Sequence, residues 1–400
     1  MKKNKSIPQT FIHFKGIGKL ILFLVAVVMI IDACKRDAEI IYNPNDGLIL
    51  NLKWNQAYVK ETKLEVESGL MWVFSFLGAD LPIGSMQSSL VWKGNLLQID
   101  FSKLGFNDHA LIALGKLLKI IKQSQEYKTM EGIDIGRFIM LTLNSTNHYY
   151  AITGASRHFS DFKINRVIDA KKAAIIESCV TLNSRLIEVP DSGNQNLINT
   201  FFIANECEGS IINGKQTIYE YETIELMPNG QFRFAIYNLD GNLILASNAA
   251  KTISGKPAKC LWCHEINIQP PFYALTPVNG YYSPEMFRYI VSKNMNFVYN
   301  YRKTLKTEID YRKTQDHALA EFLYISFMEP SVERLSLEWN MNIAQVKSIM
   351  KPYPTHTNHE FPYSDSLYTR KDADLNSPFQ KIQVPESARE ESLYEPDLIK

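Results

Sequence analysis

The chain has 400 residues, with 43 Lys and Arg against 42 Asp and Glu, so the formal net charge is +1. With 46% hydrophobic and 21% charged residues, it is neither collagen-like nor broadly disordered. Near-neutrality removes the electrostatic footprint of a nucleic-acid binder, and five cysteines are too few for a disulfide-stapled scaffold.

Residues 1–19 carry Lys2, Lys3, Lys5, Lys15 and Lys19 and no acidic residue. An apolar run from Leu20 to Ile31 follows. It is shorter than the ~20 residues that span a bilayer as a helix. A basic stretch followed by a short apolar one is the plan of a secretory signal. The run ends Ile31-Asp32-Ala33-Cys34, which resembles a bacterial lipobox. Asp32 departs from the small neutral residue usual there. The resemblance implies a signal peptide over 1–33, acylation of Cys34, and attachment to a membrane of the bacterial cell envelope by a lipid anchor. The mature chain would face the periplasm or the cell surface. An uncleaved anchor, or a signal cut elsewhere, would export the chain equally.

Residues 34–60 read as a tether and an irregular or strand-like start. Residues 61–250 read as a mixed α/β domain. A helix is expected over Glu61 to Leu77, and a strand pair over Leu90 to Phe101 around Lys93-Gly94-Asn95. Asp108 is placed as the N-cap of a helix reaching Gln123. Strands are expected at Phe138 to Leu143, Tyr149 to Thr153, Ala173 to Leu182 and Gln216 to Leu226. Gln231 to Ser247 reads as a hairpin turning at Asp240-Gly241.

Residues 251–350 read as a loop carrying a motif, followed by helices. Ser283-Pro284-Glu285 opens one helix; further helical patterning covers Thr314 to Glu329 and two short pieces to Met350. Ser331 to Met350 has a superficial helix-turn-helix look, but paired core helices suit a neutral, exported chain better. Residues 351–400 read as an extended polar tail. The fold class is therefore α+β, with a strand-containing part first and an all-helical part after the motif.

The motif is Cys260-Leu261-Trp262-Cys263-His264, a C-x-x-C-H pentapeptide. It resembles the attachment site of c-type cytochromes. The resemblance implies one covalent haem c, with Cys260 and Cys263 as thioether residues and His264 as the proximal iron ligand. The surrounding pattern differs from a class I cytochrome c domain, which has a helix just before the motif. Gly255-Lys256-Pro257 and Gln269-Pro270-Pro271-Phe272 would frame the loop, and Trp262 and Phe272 would pack on the haem or in the core. Met286 is the first candidate for a distal iron ligand, with Met295, Met328 and His317 behind it.

Other readings stay open at this level. Cys260 and Cys263 could form a plain disulfide or a thiol redox pair, in a structural or partner-binding lipoprotein. A metal site would need His356 and His359 as its second pair. A haem peroxidase-like enzyme is a further alternative to an electron carrier or redox sensor, whose redox partner the sequence does not name. Cys179 and Cys207 are candidates for a disulfide. His148-Tyr149-Tyr150 and Arg157-His158 read as structural or surface positions.

Overall fold

The structure is a computed structural model and describes residues 47–191, 193, 195–268, 276–360 and 365–400. The signal segment, Cys34 and the stretch Gln269-Pro270-Pro271-Phe272 lie outside the described residues. Among the described residues, no helix is long and apolar enough to cross a membrane.

The α+β class holds. A first sheet has the order β2 (Leu90–Lys93), β3 (Leu96–Asp100), β1 (Ile49–Lys53), β4 (Ile133–Asp134). β1 runs antiparallel to β3 and parallel to β4. Against this part of the chain lie α1 (Lys63–Phe76) and α3 (Asp108–Gln123). α1 begins with a reciprocal capping box between Thr62 and Glu65. α3 is capped by Asn107, one residue before the expected Asp108, because Asn107 accepts from Ala110 N–H at 2.9 Å.

Two expected strands are helices. Phe138 to Leu143 lies in α5 (Ile135–Thr142), and Tyr149 to Thr153 in α6 (Thr146–Thr153), after the short α2 (Ser85–Ser89) and α4 (Gln125–Met130). All eight residues of α5 are buried, and Phe138-Ile139-Met140-Leu141 within it is a continuous apolar run that suits a buried strand as well as a buried helix. Asp134 starts it by accepting from Gly136 and Arg137 N–H. Close helix packing requires Gly136, since a Cβ there would lie 2.2 Å from Phe327 Cβ.

The second sheet is an antiparallel meander of β5 (Ala173–Ile175), β6 (Arg185–Glu188), β7 (Phe201–Glu208), β8 (Thr217–Leu226) and β9 (Phe232–Asn238). The strand expected over Ala173 to Leu182 is only the three residues of β5. The hairpin expected from Gln231 turns at Asp240-Gly241, but its return arm makes only an isolated bridge, Tyr237 to Leu243. Helix α6 explains why. Tyr149 and Tyr150 hydroxyls accept from Phe234 and Ile236 N–H, each at 3.2 Å. Side chains of a helix thus satisfy edge groups that a further strand would otherwise pair.

After α7 (Phe159–Lys163) and the second sheet come α8 (Pro257–His264), α9 (Pro284–Thr304), α10 (His317–Met328), α11 (Val332–Trp339), α12 (Ile343–Met350) and α13 (Arg370–Leu375). Ser283 caps α9, with Pro284 at its first position, as expected. α11 and α12 are paired core helices around Leu335, Trp339, Val346 and Met350.

The C-terminal segment is no free extension. Lys381 reaches the buried carboxylates Glu126 and Glu338, each at 3.1 Å. Buried Glu395 pairs with buried Lys256 at 3.0 Å. His148 is fully buried: its Nδ1 bonds the Leu141 carbonyl at 2.6 Å, while Nε2 accepts from Leu398 N–H at 2.9 Å.

Candidate functional site

The pentapeptide lies on α8, not in a loop. Lys256 precedes the helix and Pro257 opens it, where a missing N–H costs nothing. The C-terminal segment holds this end. Lys256 donates from its backbone to Arg389 O at 2.9 Å and from Nζ to Ser387 O at 2.8 Å. At the other end Glu265, just after the motif, has a positive φ of 52°. A non-glycine residue in that region is strained, and such strain concentrates at functional sites.

Helical geometry sorts the motif residues. Positions four apart share a face, so Cys260 and His264 both line one cleft, while Cys263 is exposed. The cleft holds a cavity of about 110 Å³.

One wall is the inner face of the second sheet, where cross-strand partners share a face. Ile187 of β6, Phe202 of β7, Ile224 of β8, and Phe234 and Ile236 of β9 make it apolar. The opposite wall is α9, through Phe287 and Val291. His264 packs on the Phe234 ring, with centroids 5.3 Å apart and planes at 37°. Its Nδ1 is buried with no hydrogen-bond partner. Burial pushes the imidazole toward its neutral form, the form that ligates metal.

The polar groups of the cleft are few, and sequence reasoning missed them. Arg185 of β6 and Glu222 of β8 line it. Arg185 ion-pairs with Glu206 at 3.1 Å, and its Nη2 is buried with no hydrogen bond. Glu222 accepts from the Ser247 hydroxyl at 2.7 Å. The only signal was Glu220-x-Glu222 in an alternating strand, which reads as a solvated face.

Burial and Glu222 push the Cys260 thiol well up, and burial raises Cys263 too. A thiol redox centre needs the opposite, a depressed thiol. All four described cysteines are free, so Cys179 and Cys207 do not pair: Cys207 is buried on β7 and Cys179 exposed.

The distal candidates fall apart in space. Met286 is 45% exposed and is absent from the cleft lining, although its neighbour Phe287 is there. Met295 is buried two turns beyond Phe287, and its Sδ accepts from Ile268 N–H at 3.2 Å. Met328 ends α10, and His317 is engaged by Glu321 at 3.4 Å. Trp262 lies on the outer side of α8, under the Arg389 guanidinium at 4.1 Å. His356 pairs with Glu329 at 3.1 Å. Among the described residues, no three His, Cys, Asp or Glu side chains gather as a metal-binding group. Arg157 and His158 are on the surface.

No known protein family, curated protein or solved structure matches the chain. The reading of the site therefore rests on its own chemistry.

Proposed function

We propose that this cleft holds one covalently attached haem c, and that the protein transfers electrons or senses redox state at the bacterial envelope. The observation that carries the reading is the placement of Cys260 and His264 together, one helical turn apart, on the wall of an apolar cleft. The donor types are those the group needs, while Cys263 lies outside the cleft lining. Cys260 and Cys263 would hold it by thioethers, and His264, neutral and with a buried unpartnered nitrogen, would ligate the iron. The group supplies one-electron chemistry when bound. The chain supplies apolar walls, a motif helix fixed at its N-terminus by Lys256, and the Arg185 guanidinium at the wall. The α+β fold carrying it, a sheet on one side and helices on the other, is unlike a class I cytochrome c domain. Attachment to a membrane through a lipid on Cys34 belongs to the same proposal, and the haem would be added after export.

Expression of the full chain with a cytochrome c maturation system tests this. A haem-staining band on a denaturing gel and a Soret band are expected, both lost in Cys260→Ala/Cys263→Ala. A colourless wild-type product whose mass shows a Cys260–Cys263 disulfide would refute the haem reading and leave a binding or structural lipoprotein.

A further inference from the structure

We infer that, while the motif thiols are free, the cleft binds a small neutral molecule of about benzene's size that carries one hydrogen-bonding oxygen, the chemistry of a phenol. This goes beyond the haem reading and does not rest on it, since an attached macrocycle would take the small molecule's place.

Size sets the first limit. The cavity holds about 110 Å³ and opens to solvent. An engineered apolar cavity of ~150 Å³ accepts benzene. A single ring, or an aliphatic group of similar bulk, is therefore the most that the cleft takes as folded.

Strand register sets the wall. Ile187 of β6 stands opposite Ala204 of β7, Ala204 opposite Glu222 of β8, and Glu222 opposite Ile236 of β9. Cross-strand partners share a face, and all four residues line the cleft. Ala204 is the small member of this row. A methyl at that position leaves room that a larger side chain would fill.

Arg185 sets the polarity. It lines the cleft and is only 6% exposed. Its Nε faces Glu206 at 3.1 Å, and its Nη2 is buried with no hydrogen bond. A buried donor without an acceptor is a cost to the empty fold, and an oxygen on the ligand removes it. The Glu222 carboxylate on the same wall opposes an anionic ligand, and Arg185 opposes a cationic one. His264 adds a ring packed on Phe234, held by burial toward its neutral form. Apolar walls with one unmet donor and both signs of charge already present select a neutral, mostly apolar molecule.

The test is isothermal titration calorimetry of phenol into the full-length chain, made without cytochrome c maturation and kept reduced. Saturable binding at one site is expected. Benzene, which lacks the oxygen, should bind about tenfold more weakly, and benzoate more weakly than phenol. Ala204→Leu fills the cavity and should abolish binding of phenol and benzene alike. Arg185→Lys keeps a cation beside Glu206 but loses the Nη2 donor. Phenol should then fall to the affinity of benzene, with benzene unchanged. Far-UV circular dichroism checks the fold of both variants. Absence of saturation in the wild-type chain overturns the inference. So does phenol binding that survives in folded Ala204→Leu, a phenol preference unchanged in folded Arg185→Lys, or benzoate binding more tightly than phenol. None of these results bears on the haem, which staining of the matured protein decides. A colourless matured protein refutes the haem reading and leaves phenol binding to stand on its own titration.

Discussion

Two regions of this molecule bury charge, and they do it differently. Under the C-terminal segment, Arg137, Arg370 and Lys381 meet Glu126, Glu338 and Asp374, three cations against three anions. Arg137 grips Asp374 at 2.6 Å and Glu126 at 3.1 Å. Arg370 grips Glu338 through two nitrogens, at 2.9 and 3.1 Å. Beside the motif cleft, Glu206, Glu220 and Glu222 share one face of the second sheet, and among the described residues Arg185 pairs with Glu206 alone of the three. Matched charges lock a structure. Unmatched charges held in an apolar wall retain the capacity to exchange a proton, and that is the signature of a working site.

Breaking the matched network is the strongest test of this contrast. Burial disfavours the Glu338 carboxylate, but Arg370, Lys381 and Arg137 outweigh that and hold it well below the usual range. Glu338→Ala leaves three buried cations facing two anions, Glu126 and Asp374. A loss of about 3–5 kcal/mol is expected from urea denaturation.

The cleft should respond in the opposite direction. A carboxylate whose folded pKa is raised contributes stability that is full below its unfolded pKa and lost as pH rises through the folded one. For Glu220 that window runs from the ordinary ~4.3 to about 7. Glu220→Gln should therefore stabilise the protein at pH 8, by on the order of 1–3 kcal/mol, and change little at pH 4. Paired denaturation curves at the two pH values measure this. Equal effects at both would erase the difference between the regions.

A smaller effect separates the C-terminal docking from both. Burial lowers the His148 pKa, against the pull of the Leu141 carbonyl and Asp397. A depressed histidine contributes stability that is present above its unfolded pKa of ~6.5 and lost as pH falls below it. Protonated Nε2 can no longer accept from Leu398 N–H, which costs about 1 kcal/mol. Hydrogen exchange at Leu398 should speed up below that pH, and His148→Gln should abolish the pH dependence.

Much of the helical frame was legible because it carried local marks. Ser283 with Pro284 is a cap visible in its own residues, while the cap of α3 falls on Asn107, one residue before the expected Asp108, and the Thr62–Glu65 box emerges only in the structure. The misreadings share one cause. In α5 the continuous apolar run Phe138-Ile139-Met140-Leu141 suits a buried strand as well as a buried helix, and the β-rich composition of Tyr149 to Thr153 was overridden by packing against β9. The expected hairpin turns at Asp240-Gly241, but its return arm pairs only briefly, because hydroxyls of a distant helix take over part of the β9 edge. Met286 matched a helical pattern as well as Met295 did, but the rotation of α9 turns it outward. The segment after Met350 read as a polar tail because its charges find partners elsewhere in the chain, Lys381 with Glu126 and Asp374 with Arg137 among the most distant.

The sequence by itself determined the α+β composition, the Ser283-Pro284 cap, and the C-x-x-C-H spacing that brings Cys260 and His264 onto one face. Each of these is decided within a few residues of chain, by hydrogen bonds and helical pitch. Only the tertiary structure decided that this face opens onto an apolar cleft, and that Arg185, Glu206, Glu220 and Glu222 stand beside it. Strand register and burial are properties of residues far apart in sequence, and they alone turn an ordinary glutamate into one short of a cation.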